Sequence, residues 1–333
     1  MASVIVLILA LGAQTPSSKP AVPVDPSAAI VEAARTHQLV AIGEEHGSEQ
    51  LHVFLRALVR DRRFIAVVND IVVEFGNAKY QDVIDRFVRG DDVPYEVLRQ
   101  VWQNTTAPIH VWDLPIYEEF FRTVRAVNAS LPAPRHLRVV LGDSPIDWDQ
   151  VHGRDDVRKF ANRDGWAADA IEREVLGRNR RALVIYGGTH LLRPGGLVGL
   201  LENEGAERIY TIWTHISGEL ATLQADAASW RVPSLVPLSG TALGAAPFLF
   251  YFPPPPGRGS EPMEDRFDAL LYIGDPKSLT TSHVTPALCA DDAYIRMRIQ
   301  RTETIGFKFP PSVPYPDWQS AFKAACAAIA DRK

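Results

Sequence analysis

Two stretches of this sequence share one plan: LVAIGEEH at residues 39–46 and ALVIYGGTH at residues 182–190. Each runs from a short apolar segment of strand character into Gly-x-x-His, where the glycine permits a sharp turn. In open α/β sheets, ligands bind in the crevice outside the carboxyl ends of the strands. Two histidines delivered there by the same turn predict two halves of one site, at His46 and His190. The alternative is two unrelated turn histidines, each bonded to nearby backbone.

Strand-like and helix-like segments alternate along the chain from residue 27 to about residue 218. Leu51, Phe54, Leu55 and Leu58 have helical spacing, and the apolar strand 71–75 follows them. This alternation predicts an α/β fold with a mainly parallel sheet flanked by helices. The interval from His46 to Glu74 resembles that from His190 to His215, which indicates two related halves sharing one cleft at the strand carboxyl ends.

Titratable side chains follow six consecutive predicted strands, which include 109–113 and 137–141. These side chains are Glu44, Glu45, His46, Glu74, Asp113, Asp143, His190 and His215. Charged residues that only promote solubility are not expected to concentrate at one edge of a sheet. We therefore expect these groups to lie together in one cleft at the carboxyl ends of the strands. The remaining histidines, including His52, lack this context and are expected to be surface or helix residues.

Histidines and carboxylates together support two kinds of chemistry. A divalent Mn, Co, Fe or Zn ion would suit this donor set and would supply hydroxide from a bound water. Its predicted ligands are His46, His190, Glu44, Glu45, Glu74 and Asp143. Alternatively, one histidine acts on water directly as a general base, oriented by a carboxylate.

Serine acyl-enzyme chemistry is disfavoured, because the sequence has no Gly-x-Ser-x-Gly nucleophile elbow. A zinc-binding helix of the His-Glu-x-x-His type is also absent from the sequence. The predicted catalytic residues are therefore His46, His190, Glu44 and Glu74. Adjacent side chains cannot both enter one cleft without an irregular turn, so the choice between Glu44 and Glu45 stays open.

The segments IGEEHG (42–47), IVVE (71–74) and IYGGTH (185–190) resemble the superfamily that joins ChaN-like haem-binding proteins, Tiki/TraB proteins and erythromycin esterases. The similarity covers about residues 40–275 and implies an α/β fold of two related halves with a shared cleft. Resemblance to Tiki-like members implies metal-dependent hydrolysis through His46, His190 and Glu74 or Glu44. Resemblance to ChaN-like members implies haem binding, with a homodimer among the expected assemblies. The erythromycin esterases carry one more residue between Gly and His in the first motif. The spacing of Gly43 and His46 is therefore more similar to that of the ChaN-like and Tiki-like members.

The expected protein is thus an exported hydrolase, metal-assisted, that acts on an ester or amide bond of a small-molecule or peptide substrate. The alternative is a non-catalytic haem or iron-binding protein. A net charge of −5 without long basic stripes argues against a nucleic-acid partner.

The N-terminal region predicts export to the periplasm or the medium, without stable membrane insertion. Residues 1–13 are predicted to be a signal peptide, although no Lys or Arg precedes their apolar segment. Residues 14–26 are predicted to be a Pro/Ser-rich linker, and residues 27–333 a single α/β domain with a Pro-rich loop near 242–262. Two cysteines, Cys289 and Cys326, are too few for a cysteine-rich zinc site. Whether they form a disulfide stays open.

Overall fold

The structure, a computed structural model, describes residues 19–108, 111–215, 220, 225–248, 261–308 and 316–330. Within these residues seven strands form one sheet, in the order β3-β2-β4-β1-β5-β7-β6. The strands are β1 Leu39–Glu44, β2 Asp70–Asn77, β3 Arg138–Asp143, β4 Ala182–Gly187, β5 Tyr210–His215, β6 Ser234–Pro237 and β7 Ala269–Tyr272. Each neighbouring pair is parallel except β6, which runs antiparallel to β7. The predicted α/β fold with a mainly parallel sheet is confirmed.

The order of the first six strands is symmetric about the β4–β1 pair. Exchanging β1, β2 and β3 for β4, β5 and β7 gives the same order read from the other end. In the register of the central pair, Gly43 lies beside Tyr186 and Glu44 beside Gly187. The two Gly-x-x-His turns therefore leave the sheet side by side, as expected for two related halves.

Helices cover both faces of the sheet. Their bounds are α1 Pro26–Thr36, α2 Glu49–Arg60, α3 Arg62–Ile65, α4 Gln81–Arg89, α5 Tyr95–Leu98, α6 Gln100–Gln103, α7 Pro115–Asn128, α8 Arg154–Arg158, α9 Arg163–Glu174, α10 Gly196–Asn203, α11 Met263–Arg266, α12 Pro286–Cys289, α13 Asp292–Ile305 and α14 Trp318–Ala330. Alternate residues of a strand point to opposite faces, so β1 supplies both cores. Val40 packs in the core that contains Leu55 of α2, and Ala41 in the core that contains Leu197 of α10.

The strand predicted at residues 109–113 is wrong for the three of its residues that the structure describes. Residues 111 and 112 form a bend, Asp113 has no regular secondary structure, and residues 109 and 110 lie outside the described part of the chain. Pro108 has no N–H to give to a sheet, and its carbonyl accepts a hydrogen bond from Arg298 at 3.0 Å. Asp113 is buried and accepts a hydrogen bond from the Tyr294 hydroxyl at 2.6 Å. These contacts with α13 hold the segment away from strand pairing.

The predicted signal peptide (1–13) lies outside the described residues, as do residues 14–18 of the linker and 249–260 of the Pro-rich loop. The described end of the linker packs on the edge strand β6, where Val24 and Leu235 exchange backbone hydrogen bonds of 2.8 and 3.1 Å. Cys289 and Cys326 form a disulfide that joins α12 to α14. In the described part of the chain, no helix has the length and apolar character needed to span a membrane.

Candidate active site

His46, Glu74 and His190 meet around Gly187, the last residue of β4. A Cβ atom at Gly187 would lie 3.2 Å from Glu74 Oε2, 3.3 Å from His46 Cε1 and 3.4 Å from His190 Cδ2. Contacts this tight leave little room for a side chain, so glycine lets the three groups approach one another. Because β2, β4 and β1 are neighbours in the sheet, residues distant in sequence meet at one edge. The structure thus brings together both histidines that the Gly-x-x-His turns singled out.

Glu44 is buried at the end of β1, and its carboxylate accepts hydrogen bonds from three side chains. Its Oε2 lies 2.6 Å from His46 Nδ1, and its Oε1 lies 3.0 Å from His52 Nε2. The Tyr117 hydroxyl donates to Oε1 at 3.2 Å and accepts from the Gly47 N–H at 2.9 Å. Burial raises the pKa of Glu44, but the hydrogen bonds and positive charges of the two histidines outweigh it and lower that pKa to about 2.

The pairing with Glu44 raises the pKa of His46, whereas it lowers that of Glu44. Burial lowers the pKa of His46, whereas the hydrogen bond and charge of Glu44, with the charges of Glu74 and Glu45, raise it to about 9. The ring packs edge-on against Trp112, with centroids 4.5 Å apart, and 43% of the side chain remains exposed. His46 is therefore an accessible imidazolium at neutral pH, held by a buried carboxylate behind Nδ1.

His190 repeats this arrangement with a carboxylate from α9. Its Nδ1 lies 2.5 Å from Asp164 Oδ1, and its Nε2 lies 3.6 Å from Glu74 Oε1. Burial lowers the pKa of His190, but the hydrogen bond to Asp164 and the charge of Glu74 raise it above the ordinary value. Both turns thus present an imidazole whose Nδ1 is bound by a carboxylate.

Arg163, at the start of α9, joins the two remaining buried carboxylates. Its Nη2 donates to Glu74 Oε1 and its Nε to Asp143 Oδ1, both at 2.8 Å. Glu74 also accepts from the Gly187 N–H at 2.7 Å, and Asp143 from the Thr106 N–H at 2.8 Å. Burial raises the pKa of Glu74, but Arg163 and both cleft histidines lower it overall. Arg163 therefore binds both buried carboxylates and helps to keep Glu74 ionised.

The predicted metal site is not confirmed. Among the described residues, no group of three or more His, Cys, Asp or Glu side chains is arranged to hold a metal ion. Both oxygens of Glu74 accept hydrogen bonds, one from Arg163 and one from the Gly187 N–H. Both oxygens of Glu44 are bonded as well, to His46, His52 and Tyr117. In this arrangement the protein's own donors satisfy both oxygens of each carboxylate.

The structure also resolves the choice between the adjacent glutamates. Glu44 points inward to His46, whereas Glu45 is exposed. His52 lies on helix α2, one of the two places expected for it, but it is fully buried against Glu44, which was not predicted. Its spacing from Leu55 and Val59, three and seven residues on, was a signal of the apolar helix face. His215 ends β5 and packs on Tyr272, with ring centroids 6.3 Å apart.

Comparison with solved structures finds this fold in proteins of low sequence identity. A succinoglycan biosynthesis protein is 11% identical with a TM-score of 0.54, over 80% of this chain and 96% of its own. A Bacillus cereus protein is 11% identical with a TM-score of 0.50, over 80% and 97%. The fold is the one these two proteins share. Identities this low establish the fold alone, and the predicted resemblance of fold is confirmed.

A third solved structure is that of ChaN from Campylobacter jejuni, which binds haem cofacially. It is 12% identical with a TM-score of 0.42, over 59% of this chain and 88% of its own. No protein-family model matches the chain, and no curated protein matches it.

Proposed function

We propose that this protein is a hydrolase in which His46 activates water for attack on an ester or amide bond. The observation that carries the proposal is the pair of imidazoles, each bound through Nδ1 by a carboxylate. Glu44 binds His46 at 2.6 Å and Asp164 binds His190 at 2.5 Å. A carboxylate at Nδ1 fixes the orientation of the ring and stabilises the imidazolium that forms when Nε2 takes a proton.

The two histidines differ in ways that suggest separate roles. His46 is the more accessible, with 43% of its side chain exposed against 23% for His190. We assign His46 as the general base that takes the proton of water. We assign His190, whose Nδ1 is bound by Asp164 and whose pKa Asp164 and Glu74 raise, as the group that gives a proton to the leaving group. Glu74 and Arg163 would position His190 and hold the charge balance of the cleft.

The raised pKa of His46 predicts a pH dependence for this mechanism. With a pKa of about 9, about 1% of His46 is in the basic form at pH 7, since each pH unit below the pKa reduces that form tenfold. The rise in kcat/KM that comes from deprotonation of His46 should therefore be about tenfold per pH unit from neutrality and should end near pH 9.

The test is hydrolysis of p-nitrophenyl acetate by wild type, His46→Ala, His190→Ala and the control His37→Ala. His37 follows α1 at the amino end of β1, the opposite edge of the sheet. Losing a general base should lower kcat/KM about 100-fold or more, and His37→Ala should behave as wild type. Turnover that is equal in His46→Ala and wild type would refute the assignment.

Elemental analysis of tag-free protein and a haem titration separate this mechanism from its rivals. Near-stoichiometric Mn, Co, Fe or Zn that disappears in the His46→Ala/His190→Ala double variant would replace the metal-free mechanism with a metal-assisted one. A Soret band that depends on His46, without ester turnover, would identify a haem carrier instead.

A further inference from the structure

A pocket of about 310 Å³ lies beside the candidate active site and shares two residues with it. Arg163 and Thr106 line this pocket, and both also donate to Asp143. The other walls come from α8, the segment that follows it, and the carboxyl end of α13. This volume lies at the small end of the range typical for small-molecule sites.

The pocket combines apolar walls with a positively charged rim. Val157, Phe160, Ile305 and Phe307 supply the apolar surface. Phe307 is 46% exposed, so part of its ring is accessible at the pocket. Among the described residues that line the pocket, the charged ones are Arg154, Arg158 and Arg163, with no carboxylate.

Arg154 is the arginine with a free charge. Its neighbours on α8 are paired, Asp155 with Arg158 at 2.6 Å and Asp156 with Lys159 at 3.0 Å. Within the described part of the chain, the exposed Arg154 makes no ion pair and no hydrogen bond. An unpaired guanidinium beside an apolar cavity is suited to bind an anion, because its planar fork matches the two oxygens of a carboxylate.

The Arg154 guanidinium packs directly against Gly306, where the lack of a side chain leaves room for it. A Cβ atom at Gly306 would lie 2.5 Å from Arg154 Nη2, 2.9 Å from Cζ and 3.1 Å from Nε. Gly306 also has a φ of +96°, in the left-handed region that favours glycine. The cap of α13 thus leaves room for the Arg154 guanidinium against the pocket wall.

We propose that this pocket binds the anionic end of an amphipathic carboxylate, with the carboxylate on Arg154 and the apolar body between Phe160 and Phe307. Its assignment as the substrate's acyl-binding site rests on the proposed hydrolase function; binding itself does not. A competing structural role is charge stabilisation of the carboxyl end of α13 by Arg154. That role would change thermal stability without any preference among ligands.

The binding test uses 4-phenylbutyrate and its uncharged counterpart 4-phenylbutan-1-ol, titrated calorimetrically into the full chain. Wild type should bind the acid about tenfold more tightly than the alcohol, a difference of about 1.4 kcal/mol. Arg154→Gln should lose this ratio, and Arg154→Lys should keep only part of it. The control Arg35→Gln removes another exposed arginine, which pairs with Glu32 on α1, and should retain the ratio. Equal affinities in wild type, or an unchanged ratio in Arg154→Gln, would overturn the proposal.

Two esters connect the pocket to catalysis: p-nitrophenyl hexanoate and mono-p-nitrophenyl adipate, which differ only in a terminal carboxylate. In wild type the adipate ester should have the lower KM, and Arg154→Gln should remove that difference with kcat unchanged. The His46→Ala variant should bind 4-phenylbutyrate as wild type does. Acid-selective binding through Arg154 without turnover of either ester would reject the hydrolase and leave the carboxylate pocket standing. Turnover with equal KM values would support the hydrolase and overturn the assignment of this pocket as its acyl-binding site.

Discussion

Replacing Glu44 by Gln should lower the pKa of His46 by at least one unit. The substitution keeps the size of the side chain and removes the charge that lies 2.6 Å from His46 Nδ1. In the native protein the pKa of His46 is raised from 6.5 to about 9, a shift that corresponds to about 3 kcal/mol at 1.36 kcal/mol per unit. The His46 side chain is 43% exposed, so solvent screens part of this interaction. We therefore take about 1.4 kcal/mol as the minimum effect of the charge.

The assay is an NMR titration of the histidine Cε1–H signals between pH 5 and 10. The His46 signal is assigned by its loss in His46→Asn. Asp164→Asn is the matched control, because it removes the equivalent carboxylate from His190 and should lower the pKa of His190. A wild-type His46 that titrates at or below pH 6.5 would refute the reasoning, as would an unchanged pKa in Glu44→Gln.

The same pair predicts a pH window for stability. The pKa of His46 is raised, so its contribution is complete below 6.5 and is lost as pH rises through about 9. The pKa of Glu44 is lowered, so its contribution is complete above 4.5 and is lost as pH falls through about 2. The difference in unfolding free energy between wild type and Glu44→Gln, measured by urea denaturation, should be largest between pH 4.5 and 6.5. A difference that is constant from pH 4 to pH 9.5 would contradict this.

Three further substitutions test other parts of the cluster. Arg163→Met leaves Glu74 and Asp143 buried without their cation, so urea denaturation should show a loss of about 3–5 kcal/mol; a loss below 1 kcal/mol would contradict the pairing. Gly187→Ala places a methyl group against His46, Glu74 and His190 and should reduce kcat about tenfold or more with an unchanged circular dichroism spectrum. Tyr117→Phe removes the hydrogen bonds to Glu44 and from the Gly47 N–H, and should cost about 1–3 kcal/mol while the pKa of His46 moves by less than about half a unit.

The sheet and its two histidine turns were predictable because their determinants are local. The apolar runs 39–42 and 182–186 are buried on both faces, as expected for central parallel strands. A glycine follows each run, and the histidine comes three residues after it. Pairing of β1 with β4 then places His46 and His190 at one edge without further information.

The partners of these histidines were not predictable from local patterns. Arg163 lies 89 residues from Glu74, and Asp164 lies 26 residues from His190. The sequence pattern of α9 shows which helix face is apolar, but not which groups its first turn meets. The strand expected at residues 109–113 failed for a related reason, because Arg298 on α13 binds the preceding carbonyl groups. Contacts between segments distant in sequence determine both the partners of the cleft histidines and the conformation next to Pro108.

The charge balance of the cleft indicates which charge is free to move. A buried carboxylate without a partner is costly, and each one here is balanced by the protein itself. Arg163 balances Glu74 and Asp143, and its charge is fixed because a guanidinium does not lose its proton in proteins. Glu44 depends on imidazoles instead, and the more exposed of them is His46. The proton on His46 is thus the charge that can leave while Glu44 keeps hydrogen bonds from His52 and Tyr117. This charge balance supports the proposed proton transfer at His46.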